Sequence, residues 1–408
     1  MVGHFVDRVG QRRLLIFGVT IISGGVALLI VGAISRSLPI YFTAYLVTQV
    51  GVLIQTTVFN AIVADLFAAI PNKAGRVSCI FFVYGVVGAG LGSVAAGILF
   101  PVSEKKHNFY YFTALVTIIS SVALLAVVQP SPARTAEKLP GEVVETPWHI
   151  RLLNVLGEWY GSELYHPWRR VVQARTLYFF SGGLVVNFFL YYLADCTDSK
   201  DPDASLASIT VVAIVVSIIA AWPVGQFSDT FGSVASALIS AIIQAPFVAL
   251  IPTISKVEVL YIIISIYSVA SACYQMADVA MITAALPNPD KRARDMGGWA
   301  AIENIGGGLG NLIGAFVLPH VGSSDQTVGD DSDDVGAADI NDDDDSASDR
   351  TTYTRSGYYS IFWPAAIFLL LTGFIVWPLR KRLRSPTTDT STNISLTAHN
   401  DTVLSMRF

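Results

Sequence analysis

The chain has 408 residues, of which 53% are apolar and only 14% charged, and its mean hydropathy is +0.55. A typical soluble domain carries about 25% charged residues, and a single soluble core of this length does not hide so much apolar surface. The balance argues against a soluble enzyme, a nucleic-acid binder and a secreted disulfide domain. The net charge of −5 is also uneven, because eleven of the 31 acids lie between Asp325 and Asp349. Cys79, Cys196 and Cys273 are the only cysteines, too few for a disulfide framework or a metal cluster.

Apolar stretches long enough to cross a bilayer, about 20 residues each, recur along the chain. They predict ten spans at 14–34, 40–66, 77–100, 109–129, 175–194, 206–225, 234–252, 258–284, 296–319 and 358–379. The fold class is therefore an all-α polytopic membrane protein. With the N-terminus cytoplasmic, inside segments hold 19 of the 26 Lys and Arg residues and outside segments seven. That bias places both termini in the cytoplasm. Residues 1–129 form a four-span bundle, 130–174 a cytoplasmic linker, 175–379 a six-helix bundle and 380–408 a cytoplasmic tail. Within the linker, Trp148, Leu152, Leu156 and Trp159 recur at helical spacing, as in a helix lying in the membrane interface; packing in a soluble domain is the alternative. The loop 322–357 is Asp-, Ser- and Gly-rich, which predicts a solvated outside spacer.

The chain also repeats itself. Gly3-His4-Phe5-Val6-Asp7-Arg8-Val9-Gly10 has a counterpart in Gly225-Gln226-Phe227-Ser228-Asp229-Thr230-Phe231-Gly232, both of the form G-x-x-x-D-x-x-G. Ala68-Ala69-Ile70-Pro71-Asn72 returns as Ala284-Ala285-Leu286-Pro287-Asn288, and Gly88-Ala89-Gly90-Leu91-Gly92 as Gly306-Gly307-Gly308-Leu309-Gly310. Three matches in the same order point to two homologous halves, the layout of transporters built from parallel repeats.

Here the residues resemble a known family. Gly3, Asp7, Arg8, Gly10, Gln11, Arg12 and Arg13 resemble the signature of the major facilitator superfamily between its helices 2 and 3, and Gly225–Gly232 sits where that family repeats it. Pro287-Asn288-Pro289-Asp290 and Arg294-Asp295-Met296-Gly297 are similar to the glycoside–pentoside–hexuronide and sucrose symporter-like branch. The resemblance implies a two-bundle fold in which the ten spans are family helices 3–12 and helices 1 and 2 are absent, so that either the sequence starts at an internal Met, the favoured reading, or the protein has lost its first hairpin. It implies a cavity lined mainly by family helices 1, 4, 7 and 10, in a protein that works as a single chain. It also assigns Asp7, Arg8, Arg12, Arg13, Asp65 and Asp229 to an inner gate.

Polar groups inside spans are costly unless they face the protein interior or a wet cavity. Gln49, Thr56 and Asn60 form one stripe, Asn187, Tyr191 and Asp195 a second, and Tyr267, Ser271, Tyr274 and Asp278 a third. Of these, Gln49, Thr56, Asn60, Asn187, Tyr191, Tyr267, Ser271 and Tyr274 are the candidate substrate-binding groups, suited to a small polar organic solute such as a sugar. Interhelical polar contacts are the alternative role. Asp278 and Glu303 are the acids deepest in apolar segments, each roughly 12–13 Å from the Pro287–Asp295 loop. They are the candidates for proton coupling, with Asp278 the first choice. No nucleophile–base motif, metal-ligand spacing or cofactor-binding glycine loop is present. The expected function is secondary transport of a solute with a coupling proton; a non-transporting receptor or scaffold is the alternative.

Overall fold

A computed structural model describes residues 11–35, 37–69, 74–83, 85–86, 119, 147–288, 291–322 and 353–383. The described elements are helical throughout. In hydrocarbon a backbone must bond to itself, and the apolar runs do so as helices. They are α1 (Gln11–Ser35), α2 (Leu38–Ala69), α3 (Ala74–Val83), α4 (Trp148–Gly161), α5 (His166–Cys196), α6 (Pro202–Phe231), α7 (Ser233–Leu250), α8 (Val257–Ala285), α9 (Arg292–Gly322) and α10 (Arg355–Val376). Seven of the described segments are long and apolar enough to cross a membrane. All six spans expected in the second half are among them. In the first half, α2 supplies a span, α1 and α3 contain shorter apolar helices, and the expected span at 109–129 lies almost wholly outside the described residues.

From α5 to α10 successive helices run in opposite directions, with Arg355 meeting Cys196 at one end and Arg170 meeting Ile375 at the other, so each has one end beside Lys291 and Arg380, here called the basic end, and one opposite. Asp201 caps α6 by accepting from the Ala204 amide at 3.0 Å, with Pro202 opening the helix. Gly232 ends it at φ +88°, a backbone that a side chain strains, so the last glycine of the repeated motif is the corner between α6 and α7. In the second half, α5 packs against α9 and α10, and α7 against α8 and α10. Their shared core buries Tyr192, Tyr358 and Phe362, and the Tyr192 hydroxyl donates to the Ile251 carbonyl at 2.5 Å. Ile305, Leu309, Leu312 and Phe316 stay exposed along one stripe of α9, as a lipid-facing surface requires.

Two expectations are refined. The span expected at 175–194 begins already at His166, so Arg175, the first residue of the expected span, lies well inside the helix. Asp195, placed by spacing on a cavity stripe, instead holds the opposite end of α10: it accepts from the Tyr358 hydroxyl at 2.7 Å and the Tyr353 amide at 3.2 Å.

The α5–α9 contact depends on glycine. A Cβ at Gly310 would sit 3.1 Å from the Leu184 amide and press on the Phe180 carbonyl, and one at Gly306 would lie 2.7 Å from the Thr176 carbonyl. Such backbone-to-backbone approach is how small residues join helices in a bilayer. Gly310→Val is expected to cost at least roughly 1–3 kcal/mol of stability, as overpacking does, read as a lower unfolding temperature in detergent.

Candidate functional site

Asp278 and Glu303 were reached in sequence by depth alone, and the structure joins them through a third residue. Arg175 of α5 lies between them, one guanidinium nitrogen on the Asp278 carboxylate and another on that of Glu303. Trp299 closes one face of the guanidinium at 3.6 Å and Phe179 stands 4.6 Å from it. The Trp299 indole N–H also points at Asp278 Oδ1, at 3.5 Å. The two acids differ in access. Asp278 is 1% exposed and Glu303 47% exposed at the side chain. Glu303 lies on the side of α9 away from the Ile305–Phe316 stripe, so its open edge faces protein interior rather than lipid.

Around this cluster the expected residues separate into two groups. The Tyr274 ring stacks on Tyr178 with centroids 3.8 Å apart, and the Tyr178 hydroxyl meets Ser271 Oγ at 2.7 Å, which also accepts from Gln275 at 3.2 Å. Among the described residues the buried Tyr274 hydroxyl has no hydrogen-bond partner. Tyr267 packs partly buried against the same core. These groups adjoin the ion cluster. Asn187 is exposed toward the opposite end and donates its amide to Asn311 of α9, with Tyr191 exposed one turn further along. From the first half, Thr56 is exposed and Asn60 half-buried on α2, which also carries Gln49.

Sequence reasoning missed Arg175, Tyr178, Trp299 and Asn311. A signal for Arg175 was present: Trp168, Val171, Val172, Arg175 and Tyr178 fall on one helix face, and all are buried. Placed at the very first residue of the expected span, Arg175 did not read as an ion inside the membrane.

The halves meet at the basic end. Asp229 of α6, in the second copy of the repeated motif, accepts from the Gly75 amide at 2.7 Å and lies 3.4 Å from Arg76 Nε. A carboxylate at the first turn of α3 satisfies a free N–H and suits the helix dipole. Gly75 and Gly225 allow this contact, since a Cβ on Gly225 would stand 3.1 Å from both the Gly75 carbonyl and Cys79 Cβ. Beside it, Ala293 packs with Leu14, Leu15, Val58 and Ala61, and Cys79 with Ala221, Ala272 and Met276. Of the other gate candidates, Arg13 is exposed at the start of α1. Asp7, Arg8 and the side chains of Arg12 and Asp65 lie outside the described residues.

The linker helix α4 also ends here. Leu152 and Leu156 of its expected apolar face are exposed, but Trp159 lies half-buried against Gly298 and Trp168 and donates to Asp295 Oδ1 at 3.0 Å. Glu158 pairs with Lys291 at 2.6 Å and Arg294 at 2.8 Å. Partial burial pushes the Glu158 carboxyl up, but hydrogen bonds and charge from Arg294 and Lys291 outweigh it and hold the group down at about 2. A lowered folded value makes the contribution complete above the ordinary carboxylate range, near 4.3, and lost as pH falls through about 2. Glu158→Gln is therefore expected to lower the unfolding temperature at pH 6, and the gap to the parent protein is expected to close as pH falls from about 4 toward 2.

The Major Facilitator Superfamily model matches residues 1–195 and 199–399. No curated protein sequence matches the chain. Among solved structures, it is similar to the human organic anion transporter MFSD10 (TETRAN), at 16% identity and TM-score 0.66 over 92% of this chain and 79% of that one. It is similar to the transporter FucP in its outward conformation, at 11% identity and TM-score 0.62 over 94% and 86%. It is also similar to the proton:xylose symporter XylE bound to 6-bromo-6-deoxy-D-glucose, at 13% identity and TM-score 0.59 over 93% and 82%. With the repeated motif, the helical halves and this match over nearly all its length, the chain belongs to the Major Facilitator Superfamily of membrane transporters and is not an enzyme.

Proposed function

We propose that the chain is a proton-coupled secondary transporter that moves a small polar organic solute by alternating access. The Arg175–Asp278–Glu303 cluster carries this reading. An ionisable group within a span marks an ion or substrate path by default, and here three meet where α5, α8 and α9 come together. One guanidinium faces two carboxylates, so the fully ionised cluster holds one negative charge in excess. A proton on one acid removes that excess. Glu303, with its open edge, exchanges the proton, while the enclosed Asp278 keeps Arg175 in place; this reverses the order expected from depth.

Ser271, Tyr267 and Tyr274 on α8, Asn187 and Tyr191 on α5, and Thr56, Asn60 and Gln49 on α2 supply the hydroxyl, amide and aromatic groups that suit a sugar-like solute. The basic end is the cytoplasmic gate. Asp229 on the Gly75 amide closes it in the described arrangement, and Asp7, Arg8, Arg12, Arg13 and Asp65 of the first motif serve the same gate.

The test is uptake by proteoliposomes holding the full chain, with labelled D-glucose and D-gluconate and an imposed inward proton gradient. The gradient is expected to raise accumulation of at least one solute, and Asp278→Asn, checked for folding by gel filtration, to lower it more than tenfold. Accumulation indifferent both to the gradient and to Asp278→Asn would sink the proposal.

A further inference from the structure

Arg175 asks for more than a proton site needs. Among the described residues, every other Lys or Arg lies in a loop or within about a turn of a helix end. Only Arg175 stands deep in a span. Its faces are covered by Trp299 and Phe179, and one side of the fork is filled by Asp278, which is buried and also bonded to Trp299. The remaining approach is the position of the Glu303 carboxylate, the one partner of the cluster with an open side chain. A guanidinium fork presents planar donors matched to a carboxylate. Whatever reaches Arg175 from the interior must take the place of Glu303 and offer the same chemistry.

We infer that the transported solute bears a carboxylate, which replaces Glu303 on Arg175 when Glu303 takes up its proton. This rests on the reading of the cluster as the coupling site and names the solute class that the site selects. The step balances. A proton from the open side adds to a Glu303 carboxylate oxygen, the Glu303–Arg175 ion pair breaks, and a pair forms between the solute carboxylate and the freed Arg175 N–H groups. One anion and one proton enter together, so the occupied cluster carries the same net charge as the empty one. A neutral solute offers nothing to replace Glu303, and its binding would leave a buried guanidinium short of a partner, which is costly. The elements packed around Glu303 contribute Arg175 and Tyr178 from α5 and Tyr274 and Asp278 from α8. Along α2 the only acid is Asp65, near the basic end, and α10 has no titratable group between Tyr359 and its last residue.

Proton uptake on solute addition tests this directly, with the full chain in liposomes that enclose a pH dye. The probes are matched pairs: gluconate with glucitol, lactate with lactamide, benzoate with benzamide. At least one acid, and no neutral partner, is expected to evoke proton movement, with affinity falling about tenfold per pH unit once Glu303 is ionised, as one linked proton requires. Glu303→Gln mimics the protonated state. It is expected to bind the same acid with affinity independent of pH and without proton uptake. The charge-balanced double variant Arg175→Gln with Asp278→Asn, which avoids stranding one buried ion, is expected to lose the acid response. Proton movement evoked by a neutral partner overturns the inference and leaves the coupling proposal standing. No response to any of the three acids also overturns it, as does an acid response that survives in the double variant. A Glu303→Gln protein whose acid affinity keeps the pH dependence of the parent overturns the coupling role of Glu303 itself.

Discussion

Taking an ion out of water costs several kcal/mol even after a protein relaxes around it, and the second half of this chain is assembled around one such ion. The Arg175 guanidinium is a cation, so its surroundings have to supply the compensation. They come from three helices: Asp278 from α8, Glu303 and Trp299 from α9, Phe179 from α5 itself. None of these three helices can shift along the others without separating Arg175 from a partner. The glycine contacts between α5 and α9 bring those backbones close enough for the side chains to meet. Packing and electrostatics therefore set the same register.

A second charged assembly stands at the basic end, with different consequences. Glu158, Lys291, Arg294, Asp295 and Tyr165 join the linker helix to the starts of α5 and α9. Water reaches Glu158 and Lys291 here, so each ion pair contributes less than one inside a span. The start of α9 also meets α1 and α2 through Ala293. The linker is thus anchored to the second half next to the surface where that half touches the first.

Much of this was legible from residue order. Span length and the rarity of charge gave the helices, because hydrocarbon permits so few backbone conformations. The repeat gave the two halves, and Asp229 sits at their contact because the motif places an acid at a helix end. Asp278 and Glu303 were identified together because an acid far from any loop is rarely incidental. What escaped were relations that need three dimensions. Arg175 stood at the edge of its expected span, and only the start of the helix at His166 puts it deep inside. Asp195 fell on the periodicity of Asn187 and Tyr191 but points to α10, since periodicity names a face and not what lies across from it. The two acids also differ in exposure, which depth does not measure.

The meeting of α3 and α6 has a mechanical consequence. Where Gly75 faces Gly225 the helices approach along bare backbone, with the small side chains of Cys79 and Ala221 packed beside it. The polar groups that parting them would bare, the Asp229 carboxylate, the Gly75 amide and the Arg76 guanidinium, are ones that water solvates well. A seam built on glycine backbone and small side chains has fewer long side chains to disengage than one of large interdigitated groups, much as two smooth plates separate more readily than two combs.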